Sequence, residues 1–138
     1  MADWTLFNAF LEDVAEGKHD FSADTLKIAL TNTLPDTATD AVLTDITQIT
    51  SAGSYAAATV SGVSSSQTGG VYTLSHSAVT FTPSSAAFDS ARYWVLYNDT
   101  AASDNLIAWI DYGLSYAAPD GQPWTLNAGT FITSSQSA

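Results

Sequence analysis

The stretch Arg92-RYWVLYNDTAASDNLIAWIDYG-Gly113 decides the fold. Tyr93, Val95 and Tyr97 fall on one side of an extended chain, and Arg92, Trp94 and Leu96 on the other. In the second half, Leu106, Ala108, Ile110 and Tyr112 alternate with Ile107, Trp109 and Asp111. Both sides of both segments are largely apolar. Such strands lie at the centre of a sandwich, or have one face in the core and one in an interface. The polar run DTAASDN between them reads as a hairpin loop, with Asp99 and Asp104 serving turns.

Working outward, the period of two continues. In TLKIALTN, Leu26, Ile28 and Leu30 oppose Thr25, Lys27 and Ala29, a half-buried strand. LPDTATD is a loop, and AVLTDITQIT is a strand or a loop edge. SYAAATVSGV and GVYTLSHSAVTFTP read as strands separated by a turn in SSSQTGG. After the turn AAPDGQP, WTLNAGTFIT closes the chain as one bent strand or two short ones. Before all of this, DWTLFNAFLEDVAEG is the one convincing helix. Leu6, Phe7, Phe10, Leu11 and Val14 form its apolar face, Asp3 is its N-cap and Gly17 its stop, while Glu12, Asp13 and Glu16 fall on the other face. The expected architecture is a single mainly β domain over 1–138. It comprises an N-terminal α-helix at 3–17, a β-sandwich or jelly-roll-like body at 25–133, and a frayed tail at 134–138.

Composition narrows function. The 138 residues include 3 Lys or Arg against 14 Asp or Glu, a net charge of −11. So few cations cannot neutralise a run of phosphates, which argues against nucleic acid as a partner and against an anionic membrane surface. No apolar run approaches the roughly 18 residues of a membrane span. The N-terminus is acidic where a signal peptide is basic. Cysteine is absent, so no disulfide or thiolate chemistry is available.

Catalytic readings are weak. Asp99, Asp104 and Asp111 are candidates for a glycosidase pair, with Trp94 or Trp109 as a sugar platform, but turns want aspartate where Asp99 and Asp104 stand. Arg92 is expected to pair with a nearby aspartate. His19 and His76 lack metal-site spacing. Asn98, Asp99, Asp104 and Asn105 offer oxygen ligands without the EF-hand pattern. Asn98-Asp99-Thr100 is a formal glycosylation sequon. The sequence therefore predicts no catalytic residue, no metal and no cofactor.

The order helix, LKIALTNTLP, YWVLYNDT, LIAWIDYG resembles that of small virion structural proteins of tailed bacteriophages, across nearly the whole chain. The resemblance implies a non-enzymatic capsid decoration (cement) protein. It would be assembled into the virion in the host cytoplasm, oligomerise as a trimer, and contact the major capsid protein or other virion proteins. The chain departs from many such proteins in starting with an aromatic-faced helix instead of an extended arm. The alternative is a carbohydrate-binding β-sandwich of a tail, collar or fibre. Expected interface residues are Trp4, Phe7, Phe10, Leu11, Trp94 and Trp109, with Trp94 and Trp109 mostly buried.

Overall fold

The computed structural model describes residues 3–135, and the side chains of residues 3–133. The protein is mainly β, as its alternating segments require, with one α-helix near the N-terminus. A five-stranded antiparallel sheet runs in the order β1 (Thr5–Leu6), β8 (Leu106–Tyr116), β7 (Ala91–Asn98), β2 (Leu26–Thr31), β3 (Ala58–Thr59). Opposite it lie a three-stranded sheet, β10 (Gly129–Ser135), β5 (Val71–His76), β4 (Ser64–Thr68), and a pair, β6 (Val79–Phe81) with β9 (Trp124–Leu126).

The segment at Arg92–Gly113 forms the centre. Leu30 faces Trp94, and Trp94 faces Ile110, while Ile28, Leu96 and Ala108 make the next rung. This side of the sheet meets Leu74, Phe81, Trp124, Leu126 and Phe131 of the opposite layer, and Trp94 is fully buried there. Edge-to-face aromatic pairs, Trp94 with Phe81 at 5.2 Å and with Trp124 at 5.0 Å, fill the gap between layers.

The other side of the same sheet is apolar for a different reason. Ala29, Val95, Tyr97 and Leu106 form a second buried cluster with Phe7 and Ile46, flanked by Leu43, Ala57 and Trp109. The chain covers this face itself, with the segment after β1 and the loop leading to β3. Trp94 meets the expectation of burial; Trp109 is only half-buried, donating its indole N–H to Thr37 Oγ1 at 3.1 Å.

The N-terminus corrects the expected helix. The helix α1 spans Ala9–Ala15, not 3–17, and Asn8 takes the N-cap position assigned to Asp3. Thr5 and Leu6 pair instead with Trp109 and Ala108, and the Phe7 amide donates to Ile107 O at 3.1 Å. Pairing on β8 satisfies those backbone groups in extended form, so Phe7 enters the core from a strand. Gly17 is the stop, in the left-handed region at φ 77°. The shortened helix turns Phe10 and Asp13 inward and leaves Leu11 72% and Val14 42% exposed. Asp13 thus belongs to the buried face, against the expectation.

The turn expected across SSSQTGG is smaller. Only Gly69 and Gly70, both at positive φ, make it, and SSSQT is strand β4, paired residue by residue with β5. Of the expected tail, Ser134 and Ser135 extend β10, and residues 136–138 lie outside the described residues.

Candidate functional site

Most acidic side chains are occupied in holding loops. Asp20 accepts from the Ser22 amide, Asp36 from Ala38 and Thr39, and Asp45 from Ala41 and Val42. The Ser22 hydroxyl on Asp20 and the Thr39 hydroxyl on Asp36, with these amide bonds, and for Asp45 the Ala41 and Val42 amides, favour the carboxylate and hold all three below the usual aspartate range. Arg92 grips Asp111 with two bonds, Nε to Oδ1 at 2.8 Å and Nη2 to Oδ2 at 3.1 Å, as its position in the sequence predicts. The guanidinium, together with the Gly113 amide, lowers the Asp111 carboxyl.

Asp99 and Asp111 stand too far apart to pair. Asp99 and Asp104 sit in the β7–β8 loop, where Asp99 bridges Lys27 at 3.3 Å, whereas Asp111 stands opposite Tyr93. Six residues of strand separate Asp99 from that position, about 20 Å at ~3.3 Å per residue, beyond any glycosidase spacing of ~5–9.5 Å. Trp94, fully buried, cannot serve as a platform, and Trp109 packs edge-on against Tyr93 at 5.7 Å.

At the same end, a polar cluster ties the α1–β2 loop to the hairpin. Asn98 is fully buried. Its Oδ1 accepts from the Thr100 and Ala101 amides, and its Nδ2 donates to Asp24 Oδ2 at 2.6 Å and to His19 Nδ1 at 3.0 Å. That acceptor role puts the His19 proton on Nε2. The ring is stacked between Phe10 and Phe21, and burial lowers its pKa. Asn105 donates to the buried Asp13, which also meets Lys18 Nζ at 3.4 Å. Buried and fully engaged, Asn98 is unavailable as a glycan acceptor. Asn98, Asp99 and Asn105 therefore point into separate contacts, and among the described residues no three His, Cys, Asp or Glu converge as a metal site.

A concave site lies elsewhere, where the β8 edge meets β9 and β10. It is an open groove of roughly 990 Å³, at the upper end of small-ligand clefts, about 300–1,000 Å³. Trp4, Tyr112 and Leu114 form its apolar side, and Asp3, Asn127 and Thr130 its polar side, with His76 and Gly129 in the wall. Trp4 is half-buried, packed edge-on against Phe131 at 4.8 Å.

Of the expected interface residues, Phe7, Phe10 and Trp94 are core, Trp109 is half-buried under Thr37, Leu11 is exposed on α1 and Trp4 borders the groove. The sequence reading missed a charge pattern. Residues 46–88 contain no Asp, Glu, Lys or Arg. They supply β3 to β6, and β10 is uncharged too, so the whole β10-β5-β4 sheet carries no Asp, Glu, Lys or Arg, and His76 is its one titratable base. Its outer strand β4, SSSQT, is exposed at every position. A run that long without charge in a chain of net charge −11 was the signal available.

No family model matches the chain, and neither a curated protein nor a solved structure does.

Proposed function

We propose that the chain is a non-enzymatic structural protein of a tailed-bacteriophage virion, a capsid decoration protein that self-associates as a trimer and braces the head shell against the major capsid protein. The observation that carries this reading is the uncharged sheet. Two copies with a net charge of −11 repel each other over most of their surface, and they approach at least cost through the one layer free of charge. Among the described residues, no strand pairs with the outer edge of β4. It lacks the charges, prolines and bulges by which solitary sheets block such edges. The hydroxyl-rich surface suits a lasting wet contact with a protein lattice. The resemblance of LKIALTNTLP, YWVLYNDT and LIAWIDYG to virion structural proteins supplies the particle.

The test is quantitative mass spectrometry of purified particles, with sedimentation of the free protein. A copy number comparable to that of the major capsid protein, with a trimer in solution, is expected. Absence from the particle, or a monomer that gains no order on adding particles lacking it, overturns the reading.

A further inference from the structure

The groove holds a feature that assembly does not use. His76 is only 5% exposed. Its Nδ1 lies 2.7 Å from the Ser77 carbonyl oxygen, which accepts only from a donor, so Nδ1 carries the proton and Nε2 is left as a bare acceptor. Among the described residues no hydrogen bond reaches Nε2. The ring plane is held by stacking on Phe131 at 4.0 Å and 18°. Nε2 is not one of the buried polar atoms that lack a partner, so it opens onto the groove, where a ligand hydroxyl can take the place of water. Beside it stands Gly129, where a Cβ would lie 3.6 Å from Nε2. A Cβ there would rest in ordinary contact with that nitrogen, and a branched side chain would crowd it.

The remaining lining restricts the ligand. Neither Lys nor Arg borders the groove, so phosphates and carboxylates find no counter-charge. Asp3 and His76 Nε2 both require donors, Asn127 and Thr130 offer both roles, and Trp4 and Leu114 require apolar C–H surface. A molecule with many hydroxyl groups on a ring with apolar faces meets all three demands.

We propose that the groove between β8 and β10 binds a neutral saccharide, one hydroxyl donating to His76 Nε2 and the sugar's C–H face lying along Trp4. The site does not depend on the assembly role, and serves a protein on a shell or on a fibre equally. It is also not the platform that sequence alone suggested, since Trp94 and Trp109 take no part.

The test is titration of the full-length chain with glucose, galactose, mannose, N-acetylglucosamine and their common disaccharides, followed by backbone and imidazole 15N NMR. At least one sugar should give saturable shifts confined to the groove and move the His76 Nε2 resonance. Gly129 does not occupy the left-handed region, so Gly129→Val places methyl groups over Nε2 without backbone strain. It should weaken binding about tenfold or more while the melting temperature holds. Asn127→Ala, at an exposed position, is the second variant and should also weaken binding. Inorganic phosphate and choline should leave the groove resonances unmoved. The proposal is overturned if no sugar saturates the groove, if bound sugar ignores both substitutions, or if choline binds in its place. None of these results touches the assembly reading, which particle occupancy decides.

Discussion

The two main sheets solve opposite problems. The β1-β8-β7-β2-β3 sheet is apolar on both faces and hides both within its own chain, one under the second layer and one under Phe7, Ile46 and Leu43. The β10-β5-β4 sheet buries Leu74, Phe131 and Ile132 on one face and offers serine, threonine and glutamine on the other, ending in an open edge. Apolar residues on two sides of a strand therefore mark the centre of this protein. Its capacity for contact lies in strands that look bland. On the proposed reading, contact would come from missing charge and an open backbone edge, not from exposed tryptophan.

The sharpest way to break the comparison is to remove one large side chain from each face of the central sheet. Trp94→Ala should cost about 4–5 kcal/mol and Phe7→Ala about 3 kcal/mol in urea unfolding of the free protein. A loss below about 1 kcal/mol for Phe7→Ala would mean that the second face is not a true core and needs a partner to cover it. Helix α1 sharpens the same point. Phe10→Ser should cost about 3 kcal/mol, because Phe10 is buried against His19 and Phe21, while Leu11→Ser, at a mostly exposed position, should change stability by less than about 0.5 kcal/mol.

A smaller effect depends on pH. Burial depresses the pKa of both His19, at the hairpin cluster, and His76, in the uncharged sheet. The unfolded chain takes up these protons first as pH falls below about 6.5, so proton binding favours unfolding. Stability should hold above about pH 7, decline as pH drops from there towards 5, and level off once the folded-state histidines also titrate. The lowered aspartates stay ionised through this window and lose their contribution only in stronger acid. A His19→Gln, His76→Gln protein followed by thermal melts should show a flatter profile. An unchanged slope would assign the decline to other groups.

The smallest effect on stability is expected where the effect on assembly is largest. Ser66→Asp in β4 should shift unfolding by no more than about 0.5 kcal/mol, since the side chain is solvated. It places a like charge on the approach between copies, so sedimentation should show a smaller species. Unaltered association would move the contact away from this edge.

How much was legible follows from what decided each element. The pairing of LKIALT, RYWVLYN and LIAWIDYG was visible because apolar residues on both sides leave few other places for a strand. The roles of Arg92 and of the turn aspartates were visible because they are local. The start of the helix was not. Trp4, Phe7 and Leu11 fit a helical stripe, but Thr5 and Leu6 answer to Trp109 and Ala108, which local periodicity cannot see. Strand β4 was hidden because both of its faces are solvated, so no alternation betrays it. The groove was hidden because it is assembled from the N-terminus, β5, β8, β9 and β10, and no single segment carries its pattern.

The strand order has a consequence for synthesis. On a ribosome, β2 emerges long before β7, and Leu26 must wait for Asn98 while Thr5 waits for Trp109. At about 5–20 residues per second that interval lasts several seconds. During it the nascent chain exposes the β4–β5 hairpin, whose turn closes locally, with no partner layer and no charge to keep neighbouring chains apart. Distant pairings of this kind also slow folding after release. The uncharged run on which the proposed assembly rests is thus also a hazard in the making. Growth temperature and expression rate should govern its soluble yield more than the stability of the folded state does.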